Sequence, residues 1–126
     1  MKEVTVGILI QDGLVLVCQR KRTATYPLKW EFPGGKIEPG ESPREALIRE
    51  LKEELSITVE PETELFRQEW DYGDMSFRVY YYSIRSYSGI PTNMAFEQIQ
   101  WVKRETLLTM DILDGNREVV NKLVGG

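Results

Sequence analysis

Glu50, Glu53 and Glu54 are spaced i, i+3 and i+4, which on a helix sets three carboxylates on one face within reach of one another. Like charges at that spacing repel by roughly 0.2–0.5 kcal/mol per pair, so the arrangement calls for a cation among them. The chain has no histidine and one cysteine, Cys18. An oxygen-only donor set suits hard Mg²⁺, Mn²⁺ or Ca²⁺ rather than zinc. Without imidazole, acid–base work falls to carboxylates or lysine. Upstream, Pro33-Gly34-Gly35 lets the backbone turn sharply and offers N–H or C=O groups to an ion or a phosphate, and Lys36 follows at once.

These groups need a helix to hold them, and its signals are present. Ser42 is an N-cap, Pro43 occupies the first helical position and Glu45 completes an S-x-x-E capping box, so the spacing predicts a helix from Pro43 to about Leu55. Leu47, Ile48, Leu51 and Leu55 form its apolar stripe, which packs on a sheet while the carboxylates face outward. The sheet comes from two hairpins. Val4–Ile10 and Leu14–Val17 flank Gln11-Asp12-Gly13; Leu65–Tyr72 and Met75–Tyr87 flank Gly73-Asp74. Ile57–Val59 is a short extended run, Gln98–Val102 a last strand, Arg104–Leu108 a helical turn and Asn116–Leu123 a closing helix with Val119, Val120 and Leu123 inward. The expected architecture is a mixed sheet flanked by helices. In Phe77-Arg78-Val79-Tyr80-Tyr81-Tyr82 the aromatics are better read as a strand with one face in the core than as a stacking platform.

With 126 residues, 41% hydrophobic and 29% charged, the chain is expected to form one globular domain over 1–126. A net charge of −4 argues against a general nucleic-acid binder, which needs a basic stripe. The lone cysteine, the absence of a long apolar run and the start MKEVTVG point to a cytoplasmic protein with no membrane partner. Arg20, in the cluster Gln19-Arg20-Lys21-Arg22, leaves the sheet towards the glutamate helix and is expected to clamp a phosphate that the acids would otherwise repel.

The spacing G-x5-E-x7-R-E-L-x-E-E-L-x-I, carried by Gly35, Glu41, Arg49, Glu50, Leu51, Glu53, Glu54, Leu55 and Ile57, resembles the signature of the Nudix hydrolases. Outside that box the run LKWEFPGGKIEPGES, Arg20, Trp101-Val102 and Leu113-Asp114-Gly115-Asn116 are similar to the MutT-type branch, which hydrolyses nucleoside triphosphates to a monophosphate and pyrophosphate. The resemblance implies an α/β/α sandwich and a Mg²⁺ cofactor, with Mn²⁺ as substitute. Two positions depart from the pattern: Ser56 stands where the family has Gly, and Ala95 where members place a metal-binding or base-like Glu. Glu97, two residues on, replaces that acid if the loop shifts; otherwise the ligand is missing.

On this resemblance Glu53, Glu54 and the Gly35 carbonyl hold the metal, and Glu50 is a further ligand or the base that orients water. Arg49 pairs with a carboxylate such as Glu53. Glu41 supports that shell or ligates a further ion, and Lys36 neutralises the polyphosphate. Asn116 falls where members read the base: its amide can donate to O6 of a purine and accept from N7–H, which 8-oxoguanine has and guanine lacks. Tyr72 or Phe77 would stack on that base. The bland alternative is that Asn116 caps the final helix. The expected activity is hydrolysis of a nucleotide such as 8-oxo-dGTP, by a monomer or homodimer. The alternatives are a CTP or modified-dCTP pyrophosphohydrolase, or a nucleotide sensor without turnover.

Overall fold

The computed structural model of the chain describes residues 1–125, except the side chain of Tyr72. Strand β1 (Lys2–Gln11) turns back into β2 (Leu14–Gln19) through Asp12 and Gly13, both at positive φ. Gln11 pairs with Leu14, so the loop has two residues and the backbone twist a tight hairpin prefers. Two short strands follow, β3 (Trp30–Glu31) and β4 (Gly34–Lys36), then helix α1 (Pro43–Leu55) and β5 (Thr58–Glu60). The second hairpin is β6 (Thr63–Tyr72) and β7 (Met75–Ile84), with Tyr72 opposite Met75. Its far arm is shorter than expected: the chain leaves the ladder at Arg85, and β8 (Ser86–Ser88) pairs with β5 in a separate two-stranded sheet. Strand β9 (Gln98–Lys103), a 3₁₀ segment (Arg104–Thr109), a 3₁₀ turn (Asp114–Asn116) and α2 (Arg117–Gly125) complete the chain.

The large sheet runs β3-β2-β1-β7-β6, with β4 added to β1 and β9 to β2. It is mixed, because β1 and β7 are parallel while the hairpin pairs are antiparallel. Alternation along the central strands feeds two cores. Val6, Ile8, Val15, Val17, Val79 and Tyr81 pack with Leu107, Ile112, Val119 and Val120. Leu9, Leu16, Tyr80, Tyr82 and Ile84 pack with Leu47, Leu51 and Leu55 of α1. Helices on the two faces make this an α/β/α sandwich, as the family resemblance implied. Strand β7 is accordingly buried on both faces, not one as the sequence suggested.

Helix α1 has the expected limits. The Ser42 side chain accepts from the Glu45 N–H, and the Glu45 carboxylate accepts from the Ser42 N–H. At the other end Ser56 takes the left-handed conformation (φ 59, ψ 36), with its N–H donating to the Lys52 carbonyl. Ala46, Leu47, Leu51 and Leu55 are fully buried, each leucine contributing about 1.5–3 kcal/mol. Ile48, expected in the stripe, lies at its margin and is exposed. Seating that face on the sheet fixes where the glutamates point. Among the described residues no helix is long and apolar enough to cross a membrane.

Candidate active site

The backbone leaving β3 turns at Pro33-Gly34 so that β4 returns antiparallel to β1, with Thr5 opposite Gly35 and Val4 opposite Lys36. This brings Gly35 against α1 so closely that a Cβ built there would run into the Glu50 carboxylate. The Gly34 N–H donates to Glu54 Oε1 at 3.1 Å. Strand and helix are thus locked together by the two acids expected to serve an ion.

Arg49 organises the neighbouring carboxylates. Its guanidinium donates to both oxygens of Glu41 (2.7 and 2.9 Å) and to Glu50 (3.0 Å), and it lies 3.5 Å from Glu53. The main partner is therefore Glu41, not Glu53 as the i,i+4 spacing suggested. Arg49 also donates to the Lys36 carbonyl at 3.0 Å, tying the cluster to β4. The hydrogen bonds from Arg49, helped by the Glu38 N–H, hold the Glu41 carboxyl down at about 2. Burial raises Glu50 while Arg49 opposes it. Glu54 is pushed up to about 8, first by burial and then by the charge of Glu50, with Glu31 and Glu53 adding and the Gly34 N–H opposing.

As they stand, no three acids among the described residues converge tightly enough to enclose an ion. Arg49 draws Glu50 and Glu53 to itself, and Glu54 is turned onto Gly34. The donors nevertheless fit a hard divalent cation: all are oxygens, Gly35 leaves room beside Glu50 that a side chain would fill, and the crowding that raises Glu54 is what a cation relieves.

A cleft of about 420 Å³ adjoins this cluster. Arg20, Gly35, Lys36 and Glu54 line it, as do Phe77 and Asn116. Arg20 reaches it already partnered: one guanidinium nitrogen lies 3.2 Å from both Glu31 oxygens, and the others donate to the Thr25 carbonyl and hydroxyl at 2.7 and 2.9 Å. It is an ion-pair residue as well as a candidate clamp. Glu97 is turned to Arg22, whose guanidinium lies 3.5 Å away, while Ala95 and Phe96 border a smaller cavity with Glu31 and Glu54. The loop thus directs an alanine, not Glu97, toward the acids.

Asn116 is buried, and its side chain does not cap α2. Its Oδ1 accepts from the Phe32 N–H at 3.4 Å and its Nδ2 donates to the Tyr81 hydroxyl at 3.1 Å. One N–H and one lone pair stay available to a ligand. The Tyr72 side chain lies outside the described residues. Phe77 stacks on Trp70 with ring centres 4.9 Å apart, and Trp70 closes over Gly115, where a Cβ would meet its ring at 2.7 Å. Glu31, Trp70 and Tyr81 were not foreseen as site residues. The two-residue turn carried the signal for Trp70, since counting back from it sets Trp70 opposite Phe77. Glu31 and Tyr81 depend on pairings across the fold that no local signal announces.

The NUDIX domain profile matches residues 1–123. The chain is 30% identical over 122 residues to the 8-oxo-dGTP diphosphatase of Escherichia coli K12, spanning 96% of this chain and 95% of that protein. It is 51% identical over 57 residues to the CTP pyrophosphohydrolase of the same organism, 45% of this chain and 42% of that one. Among solved structures, the E. coli ORF135 protein superposes with a TM-score of 0.90 at 26% identity, covering 99% of this chain and 89% of that one. A MutT structure from work on Aliivibrio salmonicida and Vibrio cholerae gives 0.84 at 28% identity, covering 98% and 97%.

Proposed function

The chain belongs to the Nudix hydrolase family, and from that premise we propose that it hydrolyses a nucleoside triphosphate to the monophosphate and pyrophosphate, with an 8-oxopurine nucleotide as preferred substrate. The observation that carries this reading is the shared cleft, in which Arg20, Lys36, Gly35 and Glu54 stand with the Asn116 amide and the aromatic wall of Trp70 and Phe77. A polyphosphate and a base fit that combination of charge, amide and aromatic surface. Mg²⁺ would be held by Glu53, Glu54 and the Gly35 carbonyl, and when bound it polarises the phosphate oxygens. The chain's own groups supply the rest. Arg20 and Lys36 bind the phosphates. Glu50, raised by burial and restrained by Arg49, takes a proton from the attacking water. The water oxygen bonds to one of the two phosphorus atoms that share the α–β bridging oxygen, the bond from that phosphorus to the bridge breaks, and its electron pair leaves with the bridging oxygen on the other product.

Purine preference follows from Asn116, whose remaining donor and acceptor match O6 and N7–H of an 8-oxopurine. Two relatives matched over 95% and 90% of their length bear the name 8-oxo-dGTP diphosphatase. A sensor without turnover fits less well, because Glu41, Glu50, Glu53, Glu54 and Arg49 are all present. The test is pyrophosphate release with Mg²⁺ from 8-oxo-dGTP, dGTP, CTP and 5-methyl-dCTP, by wild type and Asn116→Ala. The expected result is the highest kcat/KM for 8-oxo-dGTP, with that advantage lost in Asn116→Ala. A pyrimidine ranked first would move the assignment to CTP-type substrates, and no release by folded protein would leave the sensor.

A further inference from the structure

The Tyr81 hydroxyl sits between two partners, donating to the Gly115 carbonyl at 3.0 Å and accepting from Asn116 Nδ2 at 3.1 Å. A phenol has one proton. With that proton given to Gly115, the oxygen shows residue 116 only lone pairs, and the Asn116 amide must turn its NH₂ toward it. The Phe32 N–H, 3.4 Å from Oδ1, imposes the same orientation from the other side. We propose that Tyr81 is a positioning residue for base selection, which locks the Asn116 amide in one of its two flip states and so decides where the cleft offers a donor and where an acceptor.

This rests on the reading that Asn116 meets the base. A free amide exchanges donor and acceptor positions by a half-turn about its last bond. In one state its carbonyl meets an N7–H and its NH₂ meets O6, as an 8-oxopurine requires. In the other its NH₂ faces N7 and its carbonyl faces the C6 substituent, which suits the N7 acceptor and the amino group of adenine. Locking the first state removes that escape. Burial pushes the Tyr81 phenol up to about 12 although Asn116 donates to it, so the proton given to Gly115 is held throughout the neutral range. Tyr81 is fully buried at the centre of the sheet, between Val6 and Phe66, so its ring has no freedom to follow a flipped amide.

The experiment measures Kd for 8-oxo-dGMP and dAMP by calorimetry in wild type, Tyr81→Phe, Asn116→Ala and the double variant, with melting temperatures recorded. Binding of the monophosphates does not require turnover. The expected result is that Tyr81→Phe lowers the preference for the oxidised guanine over adenine by about 3- to 10-fold, mainly by strengthening dAMP binding. The double variant should match Asn116→Ala, since without the amide there is nothing to orient. A merely structural role would weaken both ligands alike and leave the ratio unmoved. If Asn116→Ala flattens the preference and Tyr81→Phe does not, the positioning role is overturned while base reading stands. If Asn116→Ala leaves the ratio unchanged, base reading falls and the positioning role with it.

Discussion

Replacing Glu54 by Gln should stabilise the metal-free protein while weakening its response to Mg²⁺. The Glu54 carboxyl rises from an ordinary 4.5 to about 8, because burial and the nearby charges of Glu50, Glu31 and Glu53 disfavour its anion. Its folded value lies above its unfolded value. Between pH 4.5 and about 8 the folded chain therefore holds a proton that the unfolded chain has released, and stability falls as pH rises through that window. Below 4.5 both states are protonated and the cost is gone. At about 1.4 kcal/mol per pKa unit, the gap sets an upper bound of about 5 kcal/mol at pH 8. Relaxation and partial hydration of the site reduce this to about 1–2 kcal/mol. Gln keeps an oxygen for the Gly34 N–H and cannot ionise.

The assay is thermal unfolding at pH 5, 7 and 8.5, with and without Mg²⁺. Without the ion, Glu54→Gln should melt about 4–8 °C above wild type at pH 8.5 and close to it at pH 5. Mg²⁺ should raise the wild-type midpoint more at pH 8.5 than at pH 6, since the cation must displace the Glu54 proton. In Glu54→Gln that rise should shrink. Glu53→Gln is the contrast. That side chain is 59% exposed, so its loss should abolish turnover without a gain in stability. The reasoning is refuted if Glu54→Gln melts at or below wild type at pH 8.5, or if Mg²⁺ stabilises both proteins equally.

Arg20→Ala leaves the largely buried Glu31 carboxylate without its cation and should cost about 1–3 kcal/mol; adding Glu31→Gln should recover most of that stability but not nucleotide affinity, and an unchanged midpoint in Arg20→Ala would refute the pairing. Ser56→Gly relieves a left-handed serine at φ 59, so unfolding should shift up by about 3–5 °C with activity unchanged, and no upward shift would show the strain to be absent.

The start of helix α1 was legible because the Ser42/Glu45 capping box is written locally; its end was placed only at about Leu55, since Ser56 stands where the family's glycine would mark the left-handed stop that the serine in fact adopts. Both hairpin turns were legible because they too are written locally. Ile48 was misplaced because an apolar residue at the margin of a stripe is apolar in any reading, and only the curvature of the sheet decides that Ala46 goes under it instead. The far arm of the second hairpin ran too long because Tyr80–Ile84 and Tyr87 form one nearly continuous β-rich run. What ends β7 lies elsewhere in the chain: the Arg85 N–H donates to the Glu62 carboxylate at 3.1 Å, and β8 pairs with β5.

The acids of the site were visible in the sequence, but their partners were not. The i,i+4 rule paired Arg49 with Glu53, whereas the loop after β4 carries Glu41 back to bind one edge of that guanidinium through both carboxylate oxygens. Arg20 meets Glu31 because Cys18 pairs with Glu31 in the β2–β3 ladder, a register that the intervening loop does not encode. Each long-range pair engages a cation or a carboxylate that the proposed chemistry uses. Arg49 restrains Glu50, Glu31 holds Arg20, and burial raises the Glu54 carboxyl. A divalent cation and a polyphosphate would meet these groups together: the cation takes up the carboxylates, and the phosphates take up the arginine that Glu31 holds. The rise of Glu54 and the occupation of Arg20 are then two sides of one charge balance, and a change to either should alter affinity for both ligands.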